Sequence, residues 1–216
     1  MAKVSNYRVV DLAESIFRSG YPMRPTAPTE EEFINETHDI ANEIMVNIAT
    51  GNGVWTNPHI LRAIKLANAK GGGHDQFLTG VTVSFDLTFS NKAWVEAERY
   101  TFLNFVSSMS TMHRLTQMNV GQCCNSFVSE EELRRVEQLQ ADFILASEDK
   151  KNEAYLKLLY NVPAGFELTA GLVTNYRCLK NIYAQRRHHK LPDWHVMCKW
   201  IETLPMAKEL IVGTEK

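Results

Sequence analysis

The 216-residue sequence has few cysteines and no apolar run near the roughly 18 residues that would suggest a membrane span. Its four cysteines, Cys123, Cys124, Cys178 and Cys198, form no CxxC pair. This spacing argues against a redox motif or a cysteine zinc site, and we expect no secretory leader. We therefore expect reduced thiols and a soluble, cytoplasmic protein without a membrane partner.

An excess of charge of one sign is also missing, because 23 Lys and Arg residues face 25 Asp and Glu residues and the net charge is −2. Such a balance gives no overall attraction to nucleic acid, so any anion site must be local. Walker and Rossmann glycine motifs are absent, and Gly71-Gly72-Gly73 follows a predicted helix that we expect it to close. His188, His189 and His195 have no metal-ligand spacing, and we expect no metal.

Apolar residues make up 44% of the sequence, enough to build a sizeable core in one domain over residues 1–216. Thr29 and Glu32 form a capping box that predicts a helix over Glu30–Ala49, with Phe33, Ile40, Ile44 and Ile48 on one face. Apolar and polar residues alternate from Val81 to Leu87, and this alternation predicts a strand with one apolar and one polar face. The further expected elements are a strand over Tyr7–Leu12 and helices capped by Asn57, Ser90 (over Asn91–Val106), Ser129, Asn175 and Asp193. The pattern indicates a helix-rich α+β protein.

Polar and basic groups concentrate between Gly73 and Leu115 and again near the C-terminus. A Gly-His turn precedes the predicted strand, Arg99-Tyr100 follows it, and a Ser-rich run lies over 107–111. Guanidinium groups suit phosphate because they donate two parallel hydrogen bonds. These features indicate a nucleotide or other anion site, with Arg99 and Arg177 as the best candidates.

The order of these motifs resembles that of the flavin-dependent thymidylate synthases. The segment Gly73–Leu78 looks like the family's Gly-His turn, and Asn175–Asn181 looks like its Asn-x-Arg-x-Leu helix. Asp193–Met197 resembles its Gln-Trp-Glu-Ile-Arg signature. The resemblance implies a single helix-rich domain with a small antiparallel sheet, assembled as a homotetramer whose sites are shared between subunits.

The same resemblance implies a set of ligands and contacts. FAD would be bound by His74, Arg99, Tyr100 and Asn181. A small-molecule pyrimidine nucleotide, similar to dUMP, would be bound by the following residues: Glu96, Ser108, Ser110, Arg114, Arg177, Arg186 and Arg187. Methylenetetrahydrofolate and NADPH would be needed only by an active enzyme that transfers one carbon to C5 of the uracil ring.

The sequence departs from the family at several positions, and among them Thr101, Met112 and Met197 stand where the family has arginine. Fixed cations stabilise the charge that develops on the uracil ring, so their loss affects catalysis more than binding. Two hypotheses follow: a flavin-dependent nucleotide methyltransferase, or a non-catalytic protein that binds or sequesters a nucleotide. A purely structural assembly protein is a third reading.

Each candidate group also has a structural alternative. His74 could be a turn or surface group, and Arg99 and Arg177 could form buried ion pairs with Glu96, Glu98 or Glu167. The Ser-rich run could be a polar loop, and the basic residues 186–190 could complement a helix C-terminus. A core role is favoured for Cys123 and Cys124 over a nucleophilic one.

Overall fold

A four-stranded antiparallel sheet organises the chain in the computed structural model, which describes residues 1–70 and 73–213. Its spatial order is β1-β2-β4-β3. The long central pair is β2 with β4, in register from Thr82 opposite Asn175 to Ser90 opposite Glu167. The strands are β1 (Lys3–Val10), β2 (Thr82–Ser90), β3 (Asn104–Ser108) and β4 (Glu167–Asn175).

Helices surround this sheet, as the α+β prediction requires. They are α1 (Leu12–Arg18), α2 (Glu30–Thr50), α3 (Pro58–Ala67), α4 (Asn91–Ala97), α5 (Thr111–Arg114), α6 (Val120–Cys123), α7 (Glu130–Leu145), α8 (Glu148–Tyr160), α9 (Tyr176–Arg186) and α10 (Pro192–Ile201). Short 3₁₀ turns span Tyr21–Met23, Gln76–Gly80 and Leu115–Gln117, and a π-helical turn spans Lys208–Val212. No helix within the described ranges is long and apolar enough to cross a membrane.

The apolar face of β2 forms the centre of the main core. Val83, Phe85, Leu87 and Phe89 alternate along the strand and are fully or almost fully buried. The side chain of Trp194 packs against Phe89 with ring centroids 5.0 Å apart. The alternation predicted over Val81–Leu87 is therefore confirmed, with the strand ending three residues later than expected.

Helix caps are the best predicted local features. The hydroxyl of Thr29 accepts from the Glu32 amide at 3.1 Å, and Ser129 does the same for Glu132 at 3.2 Å. The Asn57 side chain caps α3, and Asn175 accepts from the Cys178 amide at 2.9 Å. Each cap satisfies an amide that the first helical turn leaves without a partner.

The helix predicted over Asn91–Val106 is wrong in its second half. Helix α4 ends at Ala97, and residues 104–108 form β3 instead. Pairing with β4 sets Phe105 opposite Leu172. It supplies hydrogen-bond partners for the backbone N–H and C=O groups that a longer helix would have paired internally. Arg99 and Tyr100 consequently lie in the connection between α4 and β3, and not on a helix.

Other boundaries also differ from expectation. The first strand spans Lys3–Val10 instead of Tyr7–Leu12, and Leu12 already begins α1. Helix α3 ends at Ala67, before the triple glycine, of which Gly71 and Gly72 lie outside the described residues. In α2, Ile48 is 59% exposed and does not join the core.

Asp193 does not cap its own helix. Leu191 holds the N-cap position of α10, and the buried Asp193 carboxylate accepts a hydrogen bond from the Ser90 amide at 2.9 Å. The Ser90 hydroxyl in turn caps α4 by accepting from the Ala93 amide at 3.3 Å. Asp193 therefore joins α10 to the end of β2.

We predict that Asp193→Ala lowers the free energy of unfolding by about 1–3 kcal/mol, because it leaves the buried Ser90 amide without an acceptor. Urea unfolding followed by circular dichroism measures the change. Glu137→Ala, on an exposed position of α7, is the control and is expected to unfold like the wild type. Equal stability of the two variants would contradict the role assigned to Asp193.

Candidate functional site

A cavity of about 900 Å³ lies between the turn Gln76–Gly80, the α4–β3 connection and α9. We call it the first cavity. It collects several residues that the sequence had singled out, from segments far apart in the chain. Its principal polar wall residues are Asp75, Arg99, Tyr100, Arg177, Lys180 and Asn181.

Helix α9 supplies one side of the first cavity. Arg177, Lys180, Asn181 and Ala184 line it at positions i, i+3, i+4 and i+7, which share one face of an α-helix. Asn175, the N-cap of this helix, also lines the cavity. The positive end of the helix dipole therefore lies beside the space that the side chains enclose.

Three cations lie in this wall, and two of them pair with one carboxylate. The Arg177 Nε lies 3.2 Å from Asp75 Oδ1, and the Lys180 Nζ lies 3.0 Å from Asp75 Oδ2. Arg177 also donates from Nη1 to the Gln76 side chain at 2.5 Å. Arg99 is exposed and has no hydrogen bond or ion pair with any described residue. The first cavity thus has an excess of positive charge.

Asp75 is ionised in this setting. Its partial burial opposes ionisation, but the hydrogen bond and charge of Lys180, together with the charge of Arg177, hold the pKa of Asp75 below its usual value. The carboxylate fixes Arg177 and Lys180 relative to one another, and it leaves other N–H groups of Arg177 without a partner among the described residues. The arrangement can bind a group with more than one negative charge, such as a phosphate.

Behind the cavity wall, Arg186 is buried in an interior cluster. Its Nε donates to the Tyr100 hydroxyl at 2.8 Å, and its Nη1 donates to Glu96 Oε2 at 2.8 Å. The guanidinium also lies 4.5 Å from the ring centroid of Trp194. Because Tyr100 lines the first cavity, this cluster supports one wall of the cavity from inside.

Glu96 is the anion of that cluster. Its Oε2 also lies 3.2 Å from His189 Nε2. Desolvation opposes ionisation, but the charges of His189 and Arg186 and the hydrogen bond from Arg186 outweigh it and lower the pKa of Glu96. The Nη2 of Arg186 is buried and finds no acceptor among the described residues.

The remaining residues predicted for the nucleotide lie outside the first cavity of this single chain. Ser108 is exposed at the end of β3, and Ser110 is half-buried just before α5. Arg114 is exposed and donates to the Gln117 side chain at 2.7 Å, and Arg187 is exposed just after α9. The chain itself does not bring these four side chains together with Arg177.

His74 lies in a second cavity of about 890 Å³, between α1, α3 and the turn Gln76–Gly80. Gln76 and Thr79 line both cavities, so this turn is their common wall. The structure thus separates His74 from Arg99, Tyr100 and Asn181, which we had expected at one flavin site. An extended ligand would be needed to contact all four.

Sequence reasoning overlooked three polar groups of the first cavity, namely Asp75, Gln76 and Lys180. The spacing of Lys180 from Arg177 on α9 could have revealed it, because residues three apart share a helix face. Nothing in the local sequence connects Asp75 with α9. Their contact depends on the tertiary arrangement of the turn and the helix.

The four cysteines are free thiols in the structure. Cys178 lines the first cavity, but burial raises the pKa of its thiol, which makes it a poor nucleophile. Burial likewise raises the pKa of Cys124 to about 11. Within residues 1–70 and 73–213, no three His, Cys, Asp or Glu side chains form a group that could hold a metal ion.

The fold defines a class of protein. Two crystal structures of thymidylate synthase X from Helicobacter pylori, each with FAD and dUMP, superpose on the chain with TM-scores of 0.60 and 0.55. Their sequences are 16% and 17% identical to it, and the match covers 98% and 97% of this chain and 97% of each of theirs. The chain therefore has the fold of the flavin-dependent thymidylate synthases.

A third similar structure is the UMP/dUMP methylase PolB from Streptomyces cacaoi bound with 5-Br dUMP. It has a TM-score of 0.54 and 10% identity, over 98% of this chain and 94% of that one. No protein-family model and no curated protein sequence matches the chain. The likeness thus lies in the fold, along almost the whole length of each structure.

We predict that Glu96→Gln destabilises the protein by about 2–4 kcal/mol near neutral pH, because it leaves the buried Arg186 guanidinium without its counter-ion. The lowered pKa of Glu96 means that its contribution is present above the ordinary pKa of a glutamate and is lost as the pH falls through the folded-state pKa. Unfolding curves at about pH 7 and about pH 3 measure the difference.

The stabilities of Glu96→Gln and the wild type should therefore converge at the lower pH. Glu153→Gln, which removes an exposed partner of Lys157, is the matched control and should have no resolvable effect at either pH. A Glu96→Gln effect that is independent of pH would contradict the ion-pair account.

Proposed function

We propose that this protein binds FAD and a uracil mononucleotide similar to dUMP, and that the first cavity holds the phosphates of FAD. The observation that supports the proposal most directly is the set of three cations, Arg99, Arg177 and Lys180, in a cavity wall with a single carboxylate, Asp75, which pairs with only two of them. A pyrophosphate supplies the negative charge that this wall lacks. The fold similarity to structures that contain FAD and dUMP agrees with this choice.

In this proposal Arg99 binds phosphate oxygens of FAD, and so does Arg177, which the family resemblance had implied for the nucleotide. Tyr100 and Asn181 form the remaining wall. Tyr100 is held in place by Arg186, and Asn181 is exposed on the cavity face of α9. A dinucleotide is long enough to reach around the turn Gln76–Gly80 towards His74. The single chain thus offers each predicted flavin contact, in two adjoining cavities.

We further propose that the nucleotide binds between chains of a homotetramer. Ser108, Ser110, Arg114 and Arg187 lie away from the first cavity, so a neighbouring chain would have to bring them to it. Glu96 and Arg186, also predicted for the nucleotide, would contribute from the interior cluster behind Tyr100.

Exposed apolar groups support self-association. On α2, Ile34, Met45 and Ile48 are each more than half exposed, at spacings of eleven and three residues that keep them on one helix face. On the edge strand β3, Phe105 and Val106 are 51% and 69% exposed. Apolar patches of this kind commonly mark protein–protein contacts.

For catalysis we propose C5 one-carbon transfer to the bound uracil nucleotide, with methylenetetrahydrofolate as the carbon source and NADPH as the reductant. FAD, once NADPH has reduced it, would supply the hydride in such chemistry. The residues of this chain would then have to hold the nucleotide and stabilise the negative charge that develops on its uracil ring. Arg186 is a cation next to the cavity wall that is held in position by Tyr100 and Glu96.

A non-catalytic nucleotide-binding protein is the second candidate. The observation that favours it is that Met197, at a position where the family has arginine, is fully buried in the main core. Arg186, moreover, is already neutralised by Glu96. A protein of this kind would bind FAD or the nucleotide without catalysing a reaction.

We predict that the purified protein binds FAD and that Arg99→Ala weakens this binding about tenfold or more, because a charge-assisted phosphate contact is lost. Calorimetry and flavin absorbance, with and without dUMP, measure the affinities. Arg134→Ala, which removes an exposed arginine of α7, is the control. If Arg99→Ala binds FAD as tightly as the control, the assignment of the first cavity is wrong.

The same samples distinguish the two candidate functions. Formation of a C5-modified nucleotide from dUMP, methylenetetrahydrofolate and NADPH would support the enzyme. Binding of FAD and dUMP without any product would support the non-catalytic protein. Failure of the wild type to bind either ligand would overturn both.

We predict a tetramer by sedimentation, and predict that Met45→Glu shifts it towards smaller species because a charge is buried at an apolar contact. Asp39→Asn, also on an exposed part of α2, is the control and should keep the wild-type mass. A monomeric wild type would contradict the assembly, whatever the behaviour of the variants.

A further inference from the structure

Residues 110–118 form a surface segment that is too short to hold its own conformation. It contains α5, which has four residues, and the 3₁₀ turn Leu115–Gln117, which has three. Helices as short as these leave most of their backbone groups without intrahelical partners and are not stable alone. Contacts with other parts of the chain must therefore determine the shape of this segment.

Gln140, on α7, supplies one set of these contacts. Its Nε2 donates to the carbonyl oxygens of Leu115 and Thr116, each at 3.2 Å, and to the carbonyl oxygen of Met118 at 2.9 Å. The side-chain amide has two N–H donors, so one of them is shared between two carbonyl groups. A single side chain thus provides partners for three carbonyl groups in and just after the 3₁₀ turn.

Tyr155, on α8, supplies the second set. Its hydroxyl donates to the Met112 carbonyl oxygen at 2.6 Å and lies 3.2 Å from the Thr111 carbonyl oxygen. Its ring packs edge-on against Phe143 of α7 with ring centroids 5.8 Å apart, and the Lys151 Nζ lies 4.8 Å from the centroid of the Phe143 ring. The hydroxyl is therefore carried on a ring that is itself packed in place.

Leu115 anchors the same segment in a small apolar cluster apart from the main core. Its side chain is fully buried together with Val136 of α7 and Leu158 of α8. Arg114, the residue before this anchor, is exposed, and Ser110 is half-buried. The two long helices thus hold the segment through its backbone and one apolar side chain, and its polar side chains stay available to a ligand.

We propose that Gln140 and Tyr155 are positioning residues for the nucleotide, because they fix the backbone of the 110–118 segment in the conformation that presents Ser110 and Arg114. Such preorganisation raises affinity, since the segment loses its conformational freedom on folding and not on binding. Neither positioning residue has to touch the ligand. The inference rests on the proposed function, in which Ser110 and Arg114 contact the nucleotide between chains.

A purely structural role for the two side chains predicts a different outcome. Loss of a contact that only stabilises the fold would weaken the binding of FAD and of the nucleotide alike. Loss of positioning would weaken the binding of the nucleotide alone, because none of the described residues that line the first cavity belongs to the 110–118 segment, to α7 or to α8. The ratio of the two affinities therefore distinguishes the roles.

The test uses Tyr155→Phe and Gln140→Met in the full chain, because each substitution removes the hydrogen-bond donor and nearly keeps the shape of the side chain. Calorimetry measures FAD binding to the free protein and dUMP binding to the protein saturated with FAD. We expect each variant to bind dUMP about fivefold or more weakly than the wild type, and to bind FAD within about twofold of the wild-type affinity.

Two matched controls make the same chemical changes away from these contacts. Tyr160→Phe removes the hydroxyl of an α8 side chain that is 82% exposed, and Gln138→Met changes an exposed glutamine of α7. Both controls should bind dUMP and FAD as the wild type does. Hydrogen exchange measured by mass spectrometry should be faster over residues 110–118 in Tyr155→Phe and Gln140→Met, and unchanged there in the controls.

The proposal is overturned if the wild type binds dUMP and both Tyr155→Phe and Gln140→Met bind it equally tightly. It is also overturned if the two variants lose affinity for FAD and for dUMP in the same proportion, because that result indicates a general loss of structure. A wild type that binds FAD but no dUMP would overturn the nucleotide part of the proposed function, and this inference with it.

Discussion

The pairing of β2 with β4 is the constraint on which the rest of the structure depends. Where the paired strands end, Thr82 stands opposite Asn175, and the Val81 carbonyl accepts from the Tyr176 amide at 3.1 Å. The turn Gln76–Gly80 leads directly into β2, and Asn175 caps α9 directly after β4. This single register therefore sets the turn beside the helix and creates the space between them.

Two kinds of arginine contribute to that region, and burial distinguishes them. The Arg186 side chain is 5% exposed and its charge is balanced by Glu96, so it stabilises the wall that Tyr100 presents. The Arg177 side chain is 40% exposed and shares Asp75 with Lys180, so part of its hydrogen-bonding capacity faces the cavity. The first arrangement resembles a structural ion pair, and the second resembles a ligand site before its anion arrives.

The sequence predicted those parts of the fold that depend on local chemistry. Capping by Thr29 and Asn175 and the alternation of β2 could be read from neighbouring residues, since each uses contacts within a few positions. The order of motifs was enough to suggest the fold. The extent of α4 could not be read, because β3 gains its hydrogen bonds from β4, more than sixty residues away.

The residues of the first cavity could be predicted from the sequence to the same degree as the fold. Arg177 and Asn181 share a helix face, which spacing alone indicates, whereas the contact of Asp75 with Lys180 and the burial of Arg186 depend on tertiary packing. The separation of His74 from Arg99 has the same cause, because the turn between them forms a wall that no sequence pattern describes. Residue types were thus easier to anticipate than their partners.

The most direct test of the central claim is the arginine Nε–H NMR spectrum of the protein, recorded during titration with FAD. Single Arg→Lys variants assign the signals. If the first cavity holds the phosphates, the signals of Arg99 and Arg177 shift together and saturate, while exposed arginines such as Arg134 remain unchanged. Saturable FAD binding that leaves both Arg99 and Arg177 unshifted would contradict the account.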